Sequence, residues 1–390
     1  MSWAGSHGAG LGAGSVLSGL RRKTARWAAG GAAAAVTVAA GLMAAPPAMA
    51  VATIPVPCSV AALNAAITAA PGNAILVLRS SCVYRLTAGL PIITRNLTIA
   101  GSNDTITAFT GHYTILRNNG ANVALSQLRI TDADNSLLGA EAGAILNENG
   151  GALSLTGVTV AGSTGPAGGG VLNNTGSSLT VASSTFADNR ATELGGAIAN
   201  GPGATTTVSG TTFLDNAASS AGGGGAIASL GGTVTVQGPA STFTGNTAHA
   251  DGGAIVAGAT SLNVTDATFS HNEADGLGGA VFTSGFSATI AQSGFSGNFS
   301  DDAGGAIATS TRLNLNSDTL TTNQAEGFGG GMYVSGGTTT LNTTKVFLNR
   351  AVTGTGGGIA RVGASTVSFL DDSQVTLNRP NNCSNILICP

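Results

Sequence analysis

Residues 268–281 read TFSHNEADGLGGAV, residues 294–307 read GFSGNFSDDAGGAI, and residues 319–332 read TLTTNQAEGFGGGM. The three lines align without a gap. In each, an apolar residue is followed three positions later by Asn. A polar loop, a Gly pair and an aliphatic residue come next. The same pattern extends outward. Upstream lie Phe186/Asn189, Phe213/Asn216 and Phe243/Asn246; downstream lie Val346/Asn349 and Val375/Asn378. Successive Asn residues are 27, 30, 26, 26, 25, 26 and 29 positions apart. A third segment alternates apolar and polar residues, as in Leu179-Thr180-Val181, Leu262-Asn263-Val264 and Leu313-Asn314-Leu315.

Three short strand-like segments in about 26 residues, with no helical stretch between them, describe one turn of a solenoid. The expected fold is all-β: a right-handed parallel β-helix of three-strand coils. Stacked coils place each repeat position about 4.8 Å above its counterpart. Phe then stacks on Phe inside the coil. Asn can pair with Asn as a ladder that satisfies buried turn amides. The Gly pairs permit backbone conformations that a Cβ forbids. These columns are therefore assigned to the scaffold. Composition agrees: 60 of 390 residues are Gly and 8% are charged, but 43% are hydrophobic, enough to build a core.

The alternating Gly-Gly-Ala-Ile and Phe-x-x-Asn motifs resemble the repeats of chlamydial polymorphic outer membrane proteins and related bacterial β-helix proteins, over roughly residues 140–380. The resemblance implies a β-helix with an extracellular address. Chlamydial members are surface-displayed, adhesin-like autotransporters with a C-terminal membrane barrel. No barrel segment follows the last coil in this sequence, so autotransport is not expected.

Four regions are expected: 1–50 a signal peptide, 51–100 a cap and first coils, 101–380 the β-helix, and 381–390 a disulfide-stapled end. Arg21, Arg22, Lys23 and Arg26 precede an Ala-rich apolar stretch from Trp27 to Ala45. Ala48-Met49-Ala50 then fits a signal-peptidase site. The alternative is a retained anchor, against which stand the small residues and Pro46-Pro47 after the apolar run. The residues after Arg21-Arg22 support a twin-arginine signal poorly, and the export route stays open. Cleavage would leave 11 of the 15 Lys+Arg against all 18 Asp+Glu, a net charge of −7. That charge excludes a basic nucleic-acid footprint. No later stretch is long and apolar enough to span a membrane.

Ser59 is expected to N-cap a short helix through Ala70, with Val60, Leu63 and Ile67 on one face covering the open first coil. Strand-like runs follow at residues 74–78, 97–100 and 114–116. The cysteines form two pairs at opposite ends, and disulfides Cys58–Cys82 and Cys383–Cys389 are expected. Zinc is the rival reading, disfavoured because neither pair has a Cys-x-x-Cys spacing or a nearby His.

β-Helices host polysaccharide lyases and glycoside hydrolases, so catalysis must be weighed. Asp301-Asp302 is the one acidic doublet inside the clear repeats, and these two residues are the catalytic candidates. A second doublet is Asp371-Asp372. Neither Gly-His-Gly nor Arg-Ile-Lys occurs, and Lys345 is the single lysine after residue 50. A carbohydrate-active enzyme of the pectin-lyase-like type is therefore the second reading. The first is a secreted or surface-associated scaffold with an adhesive or binding role, for an extracellular glycan or a cell-surface partner. No cofactor is expected, with calcium as the exception. Asp275, Asp301 and Glu326 each lie three residues after their Asn and should stack in one column. Stacked carboxylates repel unless water or a cation intervenes, so the column reads either as a solvated turn or as a Ca²⁺ site. The ligand-binding candidates are Phe282 and Tyr333. Each follows a buried aliphatic and should point outward, flanking Ala308 about 10 Å apart. Both tryptophans lie in the leader, which counts against a strong sugar-stacking platform. His112, His249 and His271 are read as surface or turn residues.

Overall fold

The computed structural model describes residues 51–136, 142–220, 222–238 and 241–390. The expected signal peptide lies outside the described residues. From Thr53 onward the chain winds as a parallel β-helix, with every assigned strand pairing parallel to strands of neighbouring coils.

One coil illustrates the construction. Strands Ile198–Asn200, Thr205–Ser209 and Thr212–Leu214 form three walls. They pair with Ile227–Leu230, Thr233–Gln237 and Ser241–Thr244 of the next coil. Side chains alternate along each wall, so Ile198, Val208 and Phe213 meet inside and are fully buried. The structure adds a fourth ladder to the three expected. Short strands, six of them two residues long and following a ladder Asn, such as Ala217–Ala218 and Glu273–Ala274, form a separate eight-stranded sheet. The sequence reads there as a turn, because a two-residue strand carries no period.

The core is a set of columns. Phe186, Phe213, Phe243, Phe269 and Phe295 stack with ring centroids 4.6–5.2 Å apart and nearly parallel planes. The coil rise imposes this spacing, and it suits stacked rings. The Asn column forms the expected ladder. Each Nδ2 donates to the next Asn Oδ1, from Asn189 through Asn216, Asn246, Asn272, Asn298, Asn323 and Asn349 to Asn378, at 2.8–3.0 Å. The backbone N–H of each Asn donates to the same oxygen.

The N-terminal end is closed. Ser59 caps the helix Val60–Ala69, its hydroxyl accepting the Ala62 N–H at 3.1 Å. Leu63 and Ile67 enter the core, and Val60 packs partly against it. Both disulfides form as expected, Cys58–Cys82 and Cys383–Cys389. At the other end Val367 and Phe369 are only half-buried, and Leu387 and Ile388 are exposed.

A column of turn hydroxyls runs beside the core. Ser184, Ser241, Ser293 and Ser373 each accept a backbone N–H from the preceding coil. Asp318 occupies this column as a carboxylate. It accepts from the Ser293 and Asn316 N–H groups, both at 2.8 Å, and is 1% exposed. Burial outweighs those two hydrogen bonds and pushes its pKa from 3.8 up to about 7. A raised carboxyl pKa means that the folded chain holds a proton the unfolded chain has released. Stability therefore falls as pH climbs from about 4 to about 7, by an amount on the order of 4 kcal/mol. Below that window the cost vanishes. Asp318→Ser restores the column's usual residue. We expect the wild-type melting temperature to drop between pH 5 and pH 8 relative to Asp318→Ser; parallel pH profiles would refute the buried proton.

Candidate functional site

The outward residue after the buried aliphatic forms a column: Leu146, Leu172, Ala199, Ala228, Val256, Phe282, Ala308, Tyr333 and Ala360. It is less open than alternation alone predicts, because the loop before each Gly pair folds back over it. In the early coils Leu146, Leu172 and Ala199 pack with Ala142, Ala167 and Leu194 as a small apolar cluster outside the main core. In the later coils Ala308 is fully buried, while Phe282 and Tyr333 on either side are half-buried. The two aromatics thus stand one coil to either side of a sealed alanine, on the register expected.

The covering loop forms its own column. Backbone hydrogen bonds from Gly252, Gly278 and Gly304 reach the carbonyls of Leu277, Ala303 and Phe328, placing Asp251, Leu277, Ala303 and Phe328 in one line. Phe328 is 46% exposed and adds a third aromatic to this region. Asp302 sits one residue before Ala303. Its charge, after burial itself, holds the Tyr333 phenol above its ordinary pKa. It likewise raises Asp251, where burial is the larger cause and the Leu277 N–H at 2.7 Å opposes it. Asp251, Asp302 and Tyr333 therefore form one electrostatic group. Sequence spacing missed Asp251. It lies five positions after its Asn and aligns with Leu277, not with Asp275.

Asp275, Asp301 and Glu326 occupy equivalent positions in three successive coils, as expected. They do not converge. Asp275 instead meets His249 of the preceding coil, Oδ2 to Nδ1 at 2.7 Å, on the exposed surface. Among the described residues no three His, Cys, Asp or Glu side chains come together to hold a metal ion. Asp301 is exposed beside Asp302, and Asp371 and Asp372 are also exposed. His112 lies 3.2 Å from Asp134 at another exposed position.

Among the described residues no helix is long and apolar enough to cross a membrane. Residues 183–201, 240–258 and 266–284 match the Chlamydia polymorphic membrane protein (Chlamydia_PMP) repeat. The chain therefore carries repeats of this type in a parallel β-helix, over three stretches that are narrower than the sequence resemblance. Two solved structures are similar at low identity. One is tailspike protein 3 of bacteriophage CBA120, at 13% identity and a TM-score of 0.40, covering 84% of this chain and 59% of the other. The second is the catalytic unit of a thermostable GH87 alpha-1,3-glucanase from Streptomyces thermodiastaticus, at 13% identity and a TM-score of 0.36, covering 84% of this chain and 66% of the other. This chain thus spans less than two thirds of either. No curated protein matches it.

Proposed function

We propose that this protein is a secreted or surface-associated β-helix scaffold that binds an extracellular glycan or cell-surface partner through the face around Phe282 and Tyr333. The observation that carries the reading is the pairing of two half-buried aromatics, one coil to either side of Ala308, with the Asp302 carboxylate beside Tyr333. Rings held on a rigid sheet offer contact area at little entropic cost, and a neighbouring carboxylate accepts hydroxyl hydrogen bonds. The repeat match supports a surface location, as do two disulfides, which persist in oxidising compartments.

The test is a glycan and cell-binding array with wild type and a Phe282→Ala/Tyr333→Ala double variant. Binding by the wild type, reduced at least about tenfold in the variant, is the expected result. Equal binding by both, or none by the wild type, would reject the face.

One observation favours a carbohydrate-active enzyme as the second reading. Asp251 and Asp302 are neighbouring carboxyls in unlike environments, the one partly buried and raised, the other exposed. Such a pair can divide acid and base roles in glycoside hydrolysis. A polysaccharide cleavage screen decides it: turnover by the wild type that Asp302→Asn abolishes would replace the scaffold reading with this one.

A further inference from the structure

The middle wall of the solenoid carries a second feature, near the N-terminal end and distant in sequence from Phe282. Between two outward columns of this wall runs an open groove of about 340 Å³. One side is an amide row, in which Asn96 Nδ2 donates to Asn73 Oδ1 at 3.0 Å and Asn96 Oδ1 accepts the Asn122 N–H at 3.0 Å. The other side is Thr98, Ala124, Ser154 and Thr180, set in register in four successive coils. No charged side chain lines the groove.

Among the described residues, the Asn122 carboxamide and the hydroxyls of Thr98, Ser154 and Thr180 have no hydrogen-bond partner in the protein. The strands hold them at a fixed spacing of about 4.8 Å per coil, so the row from Thr98 to Thr180 spans about 14 Å. The threonine methyls and Ala124 add small apolar contacts between the polar groups. A phosphate, sulfate or uronate would find no cation here, and a basic peptide no anion. A polymer that offers a hydroxyl or two at each short step, with apolar ring faces between, matches every group present.

We propose that this groove binds a neutral, extended oligosaccharide laid along the solenoid axis, one sugar residue to a coil. The site is separate from the aromatic face and shares with it only the general class of ligand.

The experiment is calorimetric titration of the described chain, from residue 51 on, with neutral cello-, malto- and laminari-oligosaccharides from disaccharide to hexasaccharide. Affinity for one series is expected to rise with length until the span of about 14 Å is filled, and then to level off. Ala124→Arg should fill the groove and weaken binding at least about tenfold. Ser154→Ala/Thr180→Ala, which removes hydroxyls without adding bulk, should weaken it by a smaller factor. Melting curves check that each variant folds. Phe282→Ala/Tyr333→Ala should bind these oligosaccharides as the wild type does. The inference is overturned if none of the series binds, or if Ala124→Arg binds normally. It is also overturned if binding is lost in the aromatic variant instead, an outcome that leaves the proposed function standing.

Discussion

Asn272→Ala should lower stability by about 2–6 kcal/mol, as should the same change at the other inner members of the ladder, which make the same hydrogen bonds. The reason is the number of groups it strands. Asn272 Oδ1 accepts from both the N–H and the Nδ2 of Asn246, at 3.1 and 2.9 Å. Its Nδ2 donates to the Phe243 carbonyl at 3.0 Å and to Asn298 Oδ1 at 2.9 Å. Alanine takes these bonds from the buried Asn246 N–H and Phe243 carbonyl, at about 1–3 kcal/mol each, while Asn246 Nδ2 keeps its bond to the Phe213 carbonyl at 3.1 Å. The Asn298 oxygen still receives the backbone N–H of residue 272, so it is not orphaned. Urea denaturation of the two proteins measures the difference. Asn272→Asp is the informative companion: it keeps the acceptors but aims a carboxylate at the Phe243 carbonyl. A loss below about 1 kcal/mol for Asn272→Ala would show that water enters the ladder.

Phe269→Ala is the second large effect, expected at about 3–5 kcal/mol. Phe269 is fully buried, with rings 4.7 Å below and 4.6 Å above it. Removing it opens a void inside a coil whose walls are tied to both neighbours by backbone hydrogen bonds, so collapse is limited. Phe269→Leu should cost much less, about 1 kcal/mol, since beyond Phe295 the same column continues with Leu320 and Val346 and both are fully buried. Chemical denaturation of the two variants side by side tests this; equal losses would show that stacking, not volume, governs the column.

What the sequence disclosed and what it withheld have one physical cause. Positions that point inward must satisfy the same surroundings in every coil, so they repeat a letter. Phe186 to Phe295 and Asn189 to Asn378 are legible for that reason. A second amide ladder was not. Asn118, Asn147, Asn173 and Asn200 link at 2.7–2.9 Å, and the line then passes to Ser229 and Thr260. Any small hydrogen-bonding residue serves there, so no single letter marks it. Asp251 escaped because the equivalent positions in the next coils, five residues after each Asn, are Leu277, Ala303 and Phe328, so no acidic column marks it. Of the candidate site, the positions of Phe282 and Tyr333 were legible from alternation, and Asp302 from its acidic doublet. The folding of the Gly loop over their column was not, since it depends on contacts between coils. The groove at Thr98 to Thr180 lies on an outward face, where only size and polarity are constrained.

The Asn ladder also has a sense. Every Nδ2 points toward the C-terminal end and every Oδ1 toward the N-terminal end, from Asn189 to Asn378. No single amide can turn over, because the backbone N–H of the preceding Asn would then face an NH₂ group. The row is therefore a one-way chain of aligned dipoles that polarise one another. A polarity written into the axis in this way selects which ends can be joined. A coil inserted between two others is accepted only in the native orientation, whereas an inverted one meets donor with donor on one side and acceptor with acceptor on the other. Lengthening or shortening the solenoid by whole coils should preserve the ladder, and reversing a coil should break it.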